Sequence, residues 1–298
     1  MSANEPVSHL SEAELRAMTA DLDAIHHDLT LPALKDSLAE WTEDIHAQGD
    51  AGRGGDAGQR LLFDRRRFLT RAAGTAGGVA GIALLAACSN SSSSSSSAAS
   101  SASASASASA SASASAATGS AASTGGGEGQ ALSGDLQVVA MAASLENSGI
   151  ATYAAGIKAA TAGKLGTVPP AVVTFAETAM AQHKDHMQAW NAVLTAAGKK
   201  PVTAVDPVVQ PTINTAFAKV TNVTGLAELA LMVENIAGET YQNGLTVIKS
   251  AAGIKTAASI QPVEFQHAAI LSFVLGKYPV PNAFTGVSLA RPPSDYKV

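Results

Sequence analysis

Glu146, then His183-Lys184-Asp185-His186; Glu234, then Glu264-Phe265-Gln266-His267: one pattern written twice decides the fold. Each copy has a lone carboxylate followed by two metal-capable side chains three residues apart. Positions i and i+3 share one helix face with Cβ atoms about 5–6 Å apart, so each pair can serve one centre. The copies also agree around the lone glutamates. Leu145-Glu146-Asn147-Ser148-Gly149-Ile150-Ala151-Thr152-Tyr153 aligns with Val233-Glu234-Asn235-Ile236-Ala237-Gly238-Glu239-Thr240-Tyr241 at a constant offset of 88 residues. Glu, Asn, Thr and Tyr match. A duplicated helical hairpin explains the repeat, and pseudo-twofold packing would bring both copies onto one centre.

The surrounding residues have helical spacing. Val139, Glu146, Ile150, Tyr153 and Ile157 share one face of a helix expected over Ser133 to Ala162. Phe175, Ala179, His186, Trp190 and Val193 share a face of the next, which opens at Pro169-Pro170 and closes before Gly198. A proline-bearing crossover with a short helix near Ile213 to Val220 leads to a third helix, Gly225 to Ser250. Its face carries Ala230, Glu234, Ala237, Tyr241, Leu245 and Ile248. The fourth is expected over Ser259 to Leu275 with Pro262 in its first turn, or as a longer helix from near Lys255 kinked at Pro262. No segment alternates as a strand. The expected fold is all-α, a four-helix bundle of two hairpins spanning residues 131–284, with an irregular tail over 285–298.

On these residues the chain resembles the ferritin-like family of di-metal carboxylate bundles. That family places a Glu on each of two helices and a Glu-x-x-His on each of the other two. The resemblance implies Glu146, His183, His186, Glu234, Glu264 and His267 as ligands of two metal ions, iron or manganese first and zinc as a further choice. His183 departs from the pattern, standing where the family has Glu. Two divalent ions bring four positive charges and three carboxylates return three, which disfavours a diferric state. Tyr153 and Tyr241, seven residues after their glutamates, point inward. Core packing with a bonded hydroxyl and second-shell participation both remain open for them.

All three histidines beyond Cys88 fall in the two pairs, and both lone glutamates sit on apolar faces, where an unpaired charge costs several kcal/mol. The implied activity is metal oxidation or handling, or chemistry on peroxide or dioxygen. The alternative is a non-catalytic envelope bundle that keeps these residues as a polar core.

The rest of the chain addresses location. Asp64-Arg65-Arg66-Arg67-Phe68-Leu69 resembles a twin-arginine export motif, carried by Arg65, Arg66, Phe68 and Leu69. A Gly/Ala-rich apolar stretch from Ala72 to Ala87 follows, shorter than the about 20 residues a spanning helix needs. Leu85-Ala86-Ala87-Cys88 resembles a lipobox whose cleavage leaves lipid on Cys88. Residues 64–88 therefore imply export, a lipid anchor on the outer face of the cytoplasmic membrane, and the translocase and lipoprotein-processing enzymes as partners. Residues 89–130, nearly all Ser, Ala and Gly, offer no large apolar groups and are expected to be a disordered spacer.

Up to Ala87 the chain has 8 basic and 13 acidic residues, and beyond it 11 of each. Without a basic stripe, nucleic acid is not an expected partner. Residues 1–63 read as an acidic cytoplasmic extension. Leu15, Met18, Leu22 and Ile25 recur at helical spacing there, and His26, His27 and His46 lie beside them.

Overall fold

A computed structural model describes residues 11–51, 132, 134–281 and 285–295. Arg65, Arg66, Phe68, Leu69, Cys88 and the Ser/Ala tract lie outside the described residues. Among those described there is no strand, and no helix is long and apolar enough to cross a membrane. The fold is all-helical, as the sequence predicts.

Among the described residues seven α-helices form: α1 (Glu12–Ile25), α2 (Leu31–Ala51), α3 (Asp135–Thr161), α4 (Pro170–Ala196), α5 (Val209–Phe217), α6 (Val223–Val247) and α7 (Ala251–Val274). The boundaries follow local chemistry. Pro170 opens α4, where a missing N–H costs nothing. Asn222 caps α6 by accepting from Gly225 N at 2.8 Å. Gly198, at φ 69°, closes α4 in the left-handed conformation while Lys199 N donates to Leu194 O.

The fourth bundle helix begins at Ala251, earlier than either expected start. Ser250 caps it, accepting from Gly253 N at 3.2 Å, and Pro262 lies in its interior. The short crossover helix likewise begins earlier, at Val209, because Asp206 Oδ1 accepts from Val208 N and Val209 N, each at 2.9 Å.

Hairpins α3/α4 and α6/α7 pack together with α3 against α6. The crossover is tied down by the repeated asparagine of the first copy: Asn147 Nδ2 donates to Val202 O and Ala204 O at 3.1 Å each. The C-terminal tail crosses the bundle. Arg291 N donates to Thr240 Oγ1, and the Arg291 guanidinium meets the fully buried Asp206 at 3.2 Å. Glu239 accepts from Leu289 N.

The N-terminal segment departs furthest from expectation. The sequence gives residues 1–63 no place in the bundle, yet α1 and α2 pack across α4 and α7. A capping box starts α1, with Ser11 Oγ accepting from Glu14 N and Glu14 accepting from Ser11 N. Leu15, Leu22, Leu34 and Trp41 are buried. Trp41 meets Trp190 edge-on at 6.3 Å. The periodic apolar side chains that mark α1 as amphipathic have found a partner, and the partner is the bundle. A five-residue π-helical segment, His26–Thr30, joins the two helices.

Candidate metal centre

The six side chains singled out in the sequence meet inside the bundle. Glu146 comes from α3, His183 and His186 from α4, Glu234 from α6, and Glu264 and His267 from α7. Each is at most 1% exposed. They form two overlapping quartets, Glu146–His183–His186–Glu264 and His183–Glu234–Glu264–His267, each with ligand atoms within 4.8 Å of one another. His183 and Glu264 belong to both. The helical pairs thus supply the shared groups, while each lone glutamate serves one quartet.

Local sequence explains how the paired helices face the centre. The 3-residue spacing of His183/His186 and Glu264/His267 puts each pair on the buried face of its helix. Gly149 lets α4 approach α3, since a Cβ there would lie 3.0 Å from three atoms of the His183 ring. Gly149→Ala is therefore expected to push His183 off its position. Metal affinity should fall about 10–100-fold, as for disturbed supporting contacts at metal sites, while the helical circular dichroism is kept. A competition titration against a chelator measures it.

The hydrogen bonds cross between the two halves. Tyr153 donates to Glu234, and Tyr241 donates to Glu146. Each tyrosine thus restrains the glutamate of the opposite hairpin. Trp190 Nε1 donates to Tyr241 Oη at 2.6 Å, extending that chain on one side only. Burial, then the neighbouring glutamate charge, raises both phenols well above their ordinary range, so they remain donors. On the other side His267 bridges Gln182 and Glu234, with Nε2 2.9 Å from Gln182 Oε1 and Nδ1 3.2 Å from Glu234 Oε2; burial opposes its charge, but Glu234 outweighs that and raises its pKa. Neither contact was legible in the sequence, where Trp190 shows only as a residue of a buried face, because neither residue type advertises a role at a metal.

His183 sits between the lone glutamates, with Nδ1 2.7 Å from Glu146 Oε2 and Nε2 3.3 Å from Glu234 Oε1. Burial disfavours its charge, but Glu264 and Glu234 overcome that and raise its pKa well above the usual histidine value. His186 responds in the same way to burial and then Glu146, and is pushed up to about 9. Burial opposes ionisation of Glu146, but the charge on His186 and the hydrogen bond from His183 bring it down to about 2.

A seventh group reaches the centre from the N-terminal segment. The π-helical segment places His26, 1% exposed, with its ring centroid 5.4 Å from that of His186. His26 Nε2 lies 3.2 Å from Asp185 Oδ2. Burial, then the neighbouring His186 charge, lowers its pKa to about 4. Its helical neighbourhood was legible, but its destination was not. His27 stays exposed.

The donor set fits a metal by its unmet polar groups as well as by its convergence. Both oxygens of Glu264 and both ring nitrogens of His186 are buried without a hydrogen-bond partner. His186 Nδ1 lies 2.9 Å from Glu264 Oε1, close enough for an ion pair but not aligned for a hydrogen bond. Such atoms are costly inside a protein unless a further group satisfies them. Three carboxylates and three imidazoles suit a divalent transition metal.

The model of the ferritin-like domain family matches residues 134–277. Over those residues the chain is similar to that family, and its fold is a ferritin-like helical bundle. The match covers α3 to α7 and all six clustered side chains, and stops short of α1, α2 and the Arg291 tail. No curated protein and no solved structure matches the chain. Within the ferritin-like domain, the buried His/Glu cluster is compatible with a metal site.

Proposed function

We propose that the ferritin-like domain holds two metal ions, iron or manganese, and uses them to oxidise and handle metal or to react with dioxygen or peroxide. The overlapping quartets carry this reading. Two groups of four ligands sharing His183 and Glu264 fit two adjacent ions better than one. Glu264, with no hydrogen bond to either oxygen, is the carboxylate available to both positions. A bound redox metal would supply the electrons for the chemistry. The chain supplies its setting: Tyr153 and Tyr241 restrain Glu234 and Glu146, Gln182 holds the His267 ring, and burial excludes bulk water.

The location follows from the sequence motifs. In this proposal Arg65, Arg66, Phe68 and Leu69 direct the chain through the twin-arginine translocase, and lipid on Cys88 anchors it at the outer face of the cytoplasmic membrane. Anaerobic loading of the intact chain with Fe(II), followed by exposure to dioxygen, tests the activity. Oxygen uptake abolished by Glu264→Gln supports it. Binding without uptake limits the role to metal holding.

One observation favours a second reading, a metal-free polar core. His183 spans Glu146 and Glu234 with both ring nitrogens, so an imidazolium there donates to both carboxylates and offsets one of their two charges. The pH dependence separates the readings. In the stripped protein, protonated His186 contributes stability that is full below pH 6.5 and is lost as pH rises through about 9. The thermal midpoint should therefore fall over that interval. If the centre binds metal, affinity should rise over the same interval, because the ion displaces that proton. Thermal scans with and without metal at several pH values show whether the two trends oppose.

A further inference from the structure

The helices ahead of the export motif and the bundle behind it form one packed unit, and this conflicts with their destinations. In twin-arginine export, the chain preceding the motif stays on the cytoplasmic side while the chain following it crosses. The interface between α1/α2 and α4/α7 can then exist only before transport.

That interface is a fitted one. Gly253 leaves room for Trp41, whose Cη2 would lie 2.7 Å from a Cβ at that position. Thr256 Oγ1 donates to Ser37 Oγ at 2.9 Å in a buried contact, and Lys255 pairs with Glu40 at 2.7 Å. Beside the candidate metal centre, the His26 ring packs tilted against that of His186 and meets Asp185. Small, polar and aromatic groups on the bundle are each matched by a group on the N-terminal helices. Such complementarity marks an interface with a particular occupant.

We propose that residues 11–51 are a cover that docks on α4 and α7 in the unexported precursor, closes the His186 side of the centre with His26, and is taken away by export. This rests on the export reading above. Before transport the contact is intramolecular and persistent. Cleavage ahead of Cys88 makes it bimolecular and places its halves on opposite sides of the membrane. Trp190 and the edge of His186 are then uncovered only in the envelope, so the precursor keeps its centre shut to exchange in the cytoplasm.

Trp190 reports the cover without reference to metal. In full-length Trp41→Phe it is the only tryptophan, since the chain has two. The precursor, held back by Arg65→Lys with Arg66→Lys, is compared with the form recovered from the envelope. Acrylamide quenching of Trp190 should be weak in the precursor and several-fold stronger in the envelope form, which should begin at Cys88 and carry no fragment of residues 1–87. Leu22→Asp in the precursor, which buries a charge in the cover and leaves the bundle untouched, should give the same increase without processing. As a check free of the Trp41 substitution, trypsin should cut at Lys35 slowly in the unsubstituted precursor and quickly in Leu22→Asp. An envelope form that begins at Cys88 but keeps Trp190 shielded, or keeps the fragment bound, overturns the cover. An envelope form that still begins at Met1 overturns the export reading itself, and with it the removal.

Discussion

Glu264→Gln empties both halves of the centre, whereas Glu146→Gln and Glu234→Gln each empty one. This is the largest functional effect the geometry predicts. Glu264 is shared by both quartets, while Glu146 and Glu234 belong to one each. The amide keeps the shape and removes the charge, so the fold should persist while a necessary anionic ligand is lost. Co(II) titration followed by visible absorption measures it. The intact chain should take up about two ions, Glu264→Gln about none, and either lone-glutamate variant about one. Equal losses in all three variants would mean that the quartets do not act as distinct positions.

Asp206→Ala gives the largest loss of stability. Asp206 is fully buried. It starts α5 through two backbone N–H groups, accepts from Ser144 Oγ at 3.3 Å, and pairs with the 5%-exposed Arg291 of the tail. The substitution removes the carboxylate that faces the buried Arg291 guanidinium. The unfolding free energy should fall by about 3–5 kcal/mol, the range for breaking a buried ion pair from one side. A urea titration measures it. Asp206 is no ligand, so metal content at low denaturant should stay at the wild-type level. Adding Arg291→Ala to Asp206→Ala should cost much less than the two single losses together, because the two side chains act as one pair.

The candidate centre was legible because duplication makes chance an unattractive explanation. Glu146 and Glu234 repeat with their flanking Asn, Thr and Tyr, and the three later histidines all fall in the paired positions. The supporting contacts were less legible. Seven-residue spacing points Tyr153 inward, but cannot show that it restrains Glu234 rather than Glu146, because that depends on how two helices distant in sequence cross. Gln182 is an ordinary neighbour of His183 until the bundle brings it against His267.

The N-terminal helices were read as helical from Leu15, Met18, Leu22 and Ile25, and yet assigned no surface. An amphipathic stripe states that something must be covered, not what covers it. The export motif that follows made a separate extension the natural reading. Burial of Trp41 against Trp190 and of His26 against His186 changes that. The start of α7 was missed for a different reason. Pro262 weighs against a helix interior on local grounds, but a well-capped start at Ser250 and packing on both sides carry the helix through it.

The proposed function rests on the buried His/Glu cluster holding metal. Elemental analysis of the intact chain, purified from cells supplied with iron and manganese and repeated for His267→Ala, tests it most directly. About two iron or manganese ions per chain are expected, with a clear loss in the variant. A folded chain that carries no metal under those conditions, and whose metal content is indifferent to His267→Ala, would contradict it.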